Sequence, residues 1–441
     1  MISGTAQLAG TVVVVPANFQ PTVGLTTQFL ILHANGGAAD DGIAATDTAV
    51  VDYEVLFDPN GLDVYLGATI NFVGVGSGGL NPNQTAIGET INEIQIVGGS
   101  PGFMPVVQAL MTLPTQEALT SALDQLSPEI YSYEKIETLY ATEQFSSDLM
   151  SCRVADGNGA SIIREGQCIW ARGRARFLDL DTTSNSIGAN STVGSFSAGG
   201  QVAFAPDWRI GVAAGYDTVS LGTSTGASAE GDRANVGGVL KYNPGPLLLA
   251  GSVSGGWGSF DTTRSMAFGG FTGQASADSD IDYFAGRLHA AYLIEMGGWY
   301  AKPLVDGTAT QLHAEGVRET GGGGAALIVA GDRDTILAVS PALEFGSELR
   351  LGQLSVMRPF IRAGVTWRDG DDLGLTSEFA SAPVGLAAFT INTEIDDVLA
   401  DVSAGVDVIN VKGAALRLQY DGRFGDDTQQ NSGSIKGSVP F

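Results

Sequence analysis

The sequence of 441 residues lacks any run of eighteen or more apolar residues, so no segment could cross a bilayer as a helix. It also carries little charge: charged residues make up 16%, and the formal net charge is -26. A chain this acidic lacks the basic surface that neutralises phosphates, which excludes a nucleic-acid partner. The start, MISGTAQLAG, lacks the charged and apolar regions of a signal peptide. This predicts either a cytosolic protein or a part of a longer precursor.

Cysteine and histidine are scarce, with 2 and 3 residues respectively. Cys152 and Cys168 flank a polar loop, and the nearest histidine in the sequence is His289. Zinc would need more ligands, so a local disulfide is favoured over a metal half-site or a structural pair of thiols. In the loop-entropy model such a disulfide contributes about 3 kcal/mol, and it indicates an oxidising compartment. No metal, cofactor or catalytic site is predicted.

Glycine is abundant, with 61 residues, and the first part of the chain uses it in turns. Residues 1–80 contain short runs rich in Val, Ile, Tyr and Phe, such as GTVVVV and TTQFLILHA, which predict β-strands. A solenoid end fits these irregular runs better than a sandwich. Between 81 and 126, apolar residues recur every three or four positions, which predicts a connector of short helices.

The segment from Ser127 to Met150 is predicted to form one longer helix. Ser127 can act as its N-cap, Pro128 suits the first helical position, and no Gly or Pro follows inside the segment. Apolar and polar residues are spread around the whole cylinder, so no single stripe could pack against an ordinary core. Such a helix needs a polar and enclosed partner.

After Cys168 the sequence alternates strictly between apolar and small or polar residues in about twelve segments, an even number typical of closed membrane barrels. The segments are 168–180, 192–205, 208–217, 231–243, 246–260, 277–295, 298–315, 335–350, 358–367, 389–409, 414–421 and 431–441. Short links at 206–207, 243–246, 296–298, 351–353 and 410–413 alternate with long ones at 181–191, 221–230, 261–274, 319–334 and 369–387. This asymmetry predicts a transmembrane β-barrel rather than a soluble sandwich.

Charge predicts which face of each strand meets lipid. Arg172, Arg174 and Arg176 share one face of the first segment. A charge at the bilayer midplane costs about 2–4 kcal/mol, so this face should line the lumen. The predicted contacts between helix and pore are those of Glu134, Glu137 and Glu143 with Arg172, Arg174, Arg176, Arg362 and Arg417. The alternative is that these charges are solvated in an open channel.

Aromatic residues near the segment ends are predicted to form two girdles at the membrane interfaces. They are Trp208, Tyr216, Tyr242, Trp257, Tyr292, Trp299, Trp367 and Tyr420. The alternative is that they are core residues of a soluble protein.

Three features follow one another in this sequence. They are LSPEIY with the helix that it begins, then CIWARGRARF, then an alternating end at Ile435, Gly437, Val439 and Phe441. In the order of these features, the sequence resembles the translocator unit of autotransporters. These are the type V secretion proteins of Gram-negative bacteria, and the resemblance covers about residues 80–441. It implies an all-β-dominated fold: a 12-stranded antiparallel transmembrane β-barrel with a central pore helix, preceded by a helical connector and a β-helix-like segment. The implied units are 1–80, 81–126, 127–151 and 152–441.

The resemblance also implies a location and partners. The barrel would be a monomer in the bacterial outer membrane, in contact with lipid and lipopolysaccharide, with its N-terminal segment at the cell surface. Ile435, Val439 and Phe441 would form the signal read by the barrel-assembly machinery, after delivery by periplasmic chaperones. Two features depart from the family: the helix has no Asn at which some members cut themselves, and Pro440 stands next to the end.

Three functions are compatible with the sequence. The first is a translocator that exports or anchors its N-terminal passenger. The second is an adhesin anchor or porin-like barrel without secretion activity. The third is a hydrolase whose catalytic passenger lies upstream, because the chain itself has no G-x-S-x-G motif and His33, His289 and His313 have no evident catalytic partners.

Overall fold

The computed structural model describes residues 1–16, 22–75, 79–150, 152–154, 164–351, 355–369, 372–386, 388–410 and 413–441. Parts of the predicted links 351–353, 369–387 and 410–413, and most of the loop between the cysteines, lie outside the described residues. In these ranges no helix has the length and apolar character needed to cross a membrane.

The N-terminal segment consists of five short strands: β1 (Ala6–Val12), β2 (Thr27–His33), β3 (Ala38–Ala45), β4 (Val51–Phe57) and β5 (Asp63–Ile70). β1 and β3 pair in parallel, as successive coils of a solenoid do. β2, β5 and β4 form an antiparallel sheet in that order. The segment therefore combines one solenoid-like pair with an antiparallel sheet.

In the described stretch 79–150 four helices follow: α1 (Pro82–Ile96), α2 (Met104–Leu110), α3 (Gln116–Leu126) and α4 (Glu129–Asp148). α1 begins with a capping box in which the Asn81 side chain accepts from the Gln84 N–H and the Gln84 side chain accepts from the Asn81 N–H. α4 begins later than predicted, because Ser127 is the C-cap of α3. The Ser127 hydroxyl nevertheless accepts from the Glu129 N–H at 3.3 Å.

Twelve antiparallel strands form a closed barrel, as predicted. They are β8 (Cys168–Leu180), β9 (Ala189–Ala205), β10 (Trp208–Thr223), β11 (Ser228–Tyr242), β12 (Leu247–Phe268), β13 (Phe271–Tyr292), β15 (Trp299–Ala314), β19 (Asp332–Ser347), β21 (Ser355–Asp369), β24 (Val398–Asn410), β25 (Ala415–Phe424) and β26 (Thr428–Pro440). Closure comes from two pairings, β26 with β8 and β13 with β15. Because no barrel strand is left unpaired on either side, the barrel has no free edge.

The outer surface of the barrel is apolar over a limited height. On β12 the outward residues Leu249, Val253 and Trp257 are large and exposed, whereas Ser259 and Asp261, next along the same face, are polar. On β10 the outward aromatics Trp208 and Tyr216 stand eight residues apart. That spacing is roughly 26 Å along a strand, or about 20 Å along the axis of a barrel with a ~40° tilt. The band has the height expected of a membrane-facing surface.

The long links hold more structure than the sequence predicts. β12 and β13 continue beyond the apolar band as one hairpin joined by Gly269 and Gly270, so the predicted loop 261–274 is wrong. The predicted link 221–230 is also too long, because only residues 224–227 lie between the ends of β10 and β11. Both were misassigned because the outward residues there are Ser, Thr and acids, which resemble loop residues.

Two other long links contribute to a separate four-stranded sheet made of β16 (Val317–Arg318), β18 (Leu327–Val329), β22 (Leu373–Phe379) and β23 (Phe389–Thr393). The predicted strand 389–409 is therefore two strands, β23 in this sheet and β24 in the barrel. The remaining short elements are β6 (Arg153–Val154), β7 (Arg164–Glu165), β14 (Ile294–Met296), β17 (Thr320–Gly321), β20 (Leu349–Leu351) and the 3₁₀ turn Gly322–Gly324.

We call α1–α3 together with this four-stranded sheet the cap, and the end of the barrel that it covers the long-loop rim. Phe103, Leu110, Leu123, Phe379 and Ile391 belong to one apolar core that joins the cap to the outer ends of the barrel strands. The hairpin turn touches α2 so closely that a Cβ at Gly269 would collide with the Ala109 carbonyl oxygen. The opposite end of the barrel, with the turn 206–207, is the short-turn rim.

Candidate functional site: the barrel lumen and helix α4

Helix α4 is almost completely buried although it has no apolar stripe. Of its 20 residues 17 are buried, including Glu134, Lys135 and Glu137. Its backbone packs against β9–β13 and β15, and arginines from β8, β21 and β25 reach it from the other side. The barrel strands therefore surround the helix with polar inward faces. A helix of mixed surface is stable there because each of its sides meets a matching group.

Glu137 lies at the centre of these contacts. It forms an ion pair with Arg176, and both side chains are fully buried. Ser191 Oγ donates to Glu137 Oε2 at 2.6 Å, and Arg233 Nη2 lies 3.6 Å from Glu137 Oε1. Two guanidinium groups and a hydroxyl thus compensate one buried carboxylate.

Asp148 and Glu143 hold the second half of the helix. Asp148 forms ion pairs with Arg172 and with Arg174, whose Nη2 lies 3.0 Å from Asp148 Oδ1. It also accepts a hydrogen bond from Ser197 Oγ at 2.8 Å. Glu143 pairs with two further inward-facing arginines: Arg368 Nη2 lies 3.2 Å from Glu143 Oε2, and Arg423 forms the second pair.

Glu134 and Lys135 differ from this arrangement. Glu134 accepts hydrogen bonds from Thr262 Oγ1 at 2.5 Å and from Ser279, rather than from an arginine. Lys135 Nζ lies 2.6 Å from Asp332 Oδ2 and 2.9 Å from Asp334 Oδ2. Lys135 is absent from the contacts predicted from the sequence, because Asp332 and Asp334 fall in the predicted link 319–334 and not in a strand.

Two predicted contacts are replaced by others. Arg362 Nη2 lies 3.7 Å from Asp421 Oδ1, and Arg417 Nε lies 2.6 Å from Asp407 Oδ1. Asp407 stands on β24, next to the strand of Arg417, and Asp421 stands on β25, two strands from Arg362. Both acids belong to the barrel wall, and among the described residues neither arginine forms an ion pair with the helix. The prediction failed because alternation gives the face of a residue but not its nearest acid.

The outer end of α4 is tied to the cap by a buried network. Arg264 on β12 donates to Glu319 through Nε at 2.6 Å and Nη2 at 2.8 Å, and Tyr131 Oη donates to Glu319 Oε1 at 2.9 Å. Arg264 Nη1 also donates to the Gln125 carbonyl oxygen at 2.9 Å. This network fixes the junction between α3 and α4 at the long-loop rim.

The inner end of α4 lies at the short-turn rim. Cys152 and Cys168 form a disulfide, which confirms the favoured interpretation of the two cysteines. Phe145 and Leu149 pack beside them and against Trp170. The disulfide therefore joins the chain leaving the helix to the first barrel strand.

The last strand closes the barrel against the first, with Pro440 opposite Cys168. Ile435, Val439 and Phe441 are all exposed on the outer surface. Their role as an assembly signal stays a prediction.

The three histidines have acidic, amide or backbone neighbours. His33 Nδ1 lies 2.5 Å from Asp63 Oδ1, and His289 Nδ1 lies 2.8 Å from Asp306 Oδ1. His313 Nδ1 lies 3.1 Å from the Asp332 carbonyl oxygen. No group of three or more His, Cys, Asp or Glu side chains suited to a metal occurs in the part of the chain that the structure describes.

Comparisons with known proteins agree with this architecture. The family described as the autotransporter beta-domain matches residues 169–421. The extracellular serine protease of Serratia marcescens is 22% identical over 349 residues, covering 77% of this chain and 32% of the protease. Esterase EstA of Pseudomonas aeruginosa is 24% identical over 282 residues, covering 61% of this chain and 42% of the esterase. The chain thus spans less than half the length of these relatives.

Among solved structures, the translocator domain of autotransporter NalP from Neisseria meningitidis has the same fold, with a TM-score of 0.53 at 13% identity. The match covers 69% of this chain and 98% of that domain. The family match extends over more than half of the 441 residues and lies within the closed barrel, whose strands run from Cys168 to Pro440. The chain belongs to the autotransporter family, and residues 169–421 are its outer-membrane β-domain.

Proposed function

We propose that this chain is a translocator that exports its N-terminal part through the barrel and keeps it anchored at the cell surface. One observation carries the proposal: the two ends of α4 contact residues at opposite rims of the barrel. Glu129 Oε2 accepts from the Ile187 N–H at 2.8 Å in the long-loop rim, whereas Asp148 pairs with Arg172 towards the short-turn rim. In outer-membrane barrels the long loops are extracellular, so everything before α4 would emerge outside.

The proposal divides the chain into the units 1–80, 81–126, 127–151 and 152–441. Stacking of the first unit outside the cell would oppose its return, and α4 would remain as a tether in the pore. Lipid, lipopolysaccharide, the barrel-assembly machinery and periplasmic chaperones are the proposed partners of a monomeric barrel. The proposal gives this chain no catalytic step; the names of the two relatives favour a hydrolytic passenger as the activity of a longer protein.

Protease treatment of intact cells tests the direction of the chain. Protease should remove residues before about 127 and leave a membrane-embedded fragment. An epitope inserted in the turn 224–227, at the long-loop rim, should be accessible to antibody, and the same epitope in the turn 243–246 should be accessible only after lysis. A fully protected N-terminal segment, or reversed access of the two epitopes, would refute the proposal.

A porin-like barrel or adhesin anchor is distinguished by electrical measurement. If α4 fills the lumen, deletion of 127–150 should raise the single-channel conductance in a planar bilayer. An unchanged conductance would show that α4 does not obstruct the pore.

A further inference from the structure

An acidic cavity of about 430 Å³ opens at the long-loop rim. It is lined by Tyr133 of α4 and by acids of the barrel loops, namely Asp181, Asp396, Asp397 and Asp427. No Lys, Arg or His is among the described residues that line it. We call this cavity the acidic vestibule.

The carboxylates of the acidic vestibule have no cationic partner within the chain. Among the described residues, none of Asp181, Asp396, Asp397 and Asp427 forms an ion pair. Burial and the neighbouring carboxylates of Asp396 and Glu394 raise the pKa of Asp427, as expected where negative charges lie together. The vestibule thus differs from the lumen, where arginines compensate the acids of α4.

Two buried polar atoms in the wall of the vestibule also lack a partner. Ser186 lines the cavity and is only 5% exposed, and its Oγ has no hydrogen-bond partner in the part of the chain that the structure describes. The same holds for Asp396 Oδ2, whereas Asp396 Oδ1 accepts from the N–H groups of Asp426 and Asp427. Buried polar atoms are normally satisfied, so these two point to a donor that enters the vestibule from outside the chain.

Hydrogen bonds between loops hold the vestibule in shape. The Asp181 N–H donates to the Asp427 carbonyl oxygen at 2.8 Å, and Asn185 Nδ2 donates to Glu394 Oε1 at 2.6 Å. These bonds join the β8–β9 connection to the β25–β26 turn and to the segment before β24. A ligand would meet a formed site, so little loss of loop entropy would oppose its binding.

The wall favours an extended organic cation over a metal ion. No three of the described acids come together in the way that metal ligands do, and the volume is that of a small-molecule site. Leu180, Ile395 and Val398 lie among the acids and offer apolar contacts. A chain of ammonium groups separated by methylene segments matches this mixture of carboxylates and aliphatic side chains.

We propose that the acidic vestibule binds a linear aliphatic polyamine such as spermine. Its ammonium groups donate to the aspartate carboxylates and to Ser186 Oγ, and its methylene groups pack on Ile395 and Val398. Because Tyr133 belongs to α4, the ligand contacts both the pore helix and the barrel loops. Binding is independent of whether the chain exports a passenger; only access from the cell exterior rests on the proposed function.

Calorimetric titration of spermine into the full chain, in a nonionic detergent free of lipopolysaccharide, tests the site. The wild type should bind one spermine molecule per chain. D397N/D427N should weaken binding roughly tenfold or more, because two charged acceptors are lost. D261N/D278N is the matched control, since it removes two exposed charges that face each other on the outward side of the β12–β13 hairpin. It should leave the affinity unchanged. Equal weakening in both variants would reveal unspecific attraction to an acidic protein and overturn the proposal.

The buried hydroxyl provides a test without a change of net charge. Ser186→Ala should weaken spermine binding severalfold, because it removes an acceptor from the wall of the vestibule. Ser184→Ala is the control, at an exposed position of the same loop, and should have no effect. An unchanged affinity of Ser186→Ala would contradict the proposed site.

Competition identifies the class of ligand and needs only the wild type, so it stands even if D397N/D427N does not fold. Spermidine should displace spermine, whereas Mg²⁺ at the same concentration should not. Displacement by equimolar Mg²⁺ would assign the vestibule to a metal ion. A wild type that binds no spermine would show that the carboxylates are only solvated. Either result would overturn the proposal.

Discussion

The two ends of α4 are held by different forces. At the long-loop end, Ile130, Tyr131 and Ile136 belong to the apolar core shared with the cap. In the remainder of the lumen, Glu137, Glu143 and Asp148 are held by arginines of the barrel wall. The comparison shows how a helix without an apolar stripe can be stable: one end is buried by an ordinary core, and the rest by a wall whose polar face is inward because its other face meets lipid.

The two regions also differ in what their contacts contribute. A buried ion pair gains little net free energy, since desolvation offsets the attraction, but the loss of one partner is costly. Burial of apolar side chains stabilises directly. The apolar end should therefore supply most of the stability, and the charged part should fix the position of the helix.

The largest effect is expected from breaking the central pair. Arg176→Ala leaves Glu137 buried and should lower the free energy of unfolding by about 3–5 kcal/mol. Arg362→Ala is the control, because its pair with Asp421 is partly exposed and 3.7 Å long, and it should contribute only about 0–1 kcal/mol. Denaturant unfolding in detergent, followed by tryptophan fluorescence, measures both. Equal losses would mean that position in the lumen, not contact with α4, decides the energetics.

A core substitution in the cap should act at the apolar end only. Leu123 is fully buried, and Leu123→Ala should cost about 2–5 kcal/mol through lost burial and the cavity left behind. Limited proteolysis should then cut residues 81–126 faster while the barrel keeps its resistance. Ile96→Ala, at a position 65% exposed, is the control and should have little effect. Faster cleavage of the barrel as well would show that the two regions unfold together.

Loss of a helix cap should have a smaller effect in the same region. Asn81→Ala removes the hydrogen bond that the Gln84 N–H donates to the Asn81 side chain and should destabilise the cap by roughly 1 kcal/mol. Hydrogen exchange of the α1 amides should detect it. Unchanged protection at the start of α1 would contradict the assigned role of the capping box.

The smallest effect concerns pH and lies outside both regions. Hydrogen bonds from His33 to Asp63 and Asn35 raise the pKa of His33 above its usual 6.5. A raised pKa in the folded state stabilises fully below the unfolded pKa, and this stabilisation is lost as the pH rises through the folded pKa. Proteolysis of the N-terminal segment should thus accelerate modestly above neutral pH, and His33→Gln should remove this dependence. A pH dependence retained in the variant would assign it to another group.

The sequence predicted the barrel better than its surroundings. Alternation located all twelve strands because each has one lipid-facing side, as the pairs Ile169 with Trp170 and Val212 with Ala213 illustrate. Beyond the apolar band this constraint is absent, so the polar outer half of the β12–β13 hairpin was mistaken for a loop. The cap sheet was missed because its strands have between two and seven residues.

The contacts of the charged side chains were also only partly predictable from the sequence. Their faces followed from alternation, but their partners depend on register and on the rotation of α4. Glu134 illustrates this, since its partners Thr262 and Ser279 are hydroxyl residues, and Thr262 falls in the misassigned loop.

The central claim is that α4 lies inside the barrel in the membrane. The S146C/S254C variant tests it most directly, because the two hydroxyl oxygens that it replaces are 3.1 Å apart on the helix and the barrel wall. In intact outer membranes, mild oxidation should join the introduced thiols within one chain, and protease fragments on either side of the helix should stay linked until reduction. A folded barrel whose introduced thiols remain unlinked would contradict the claim.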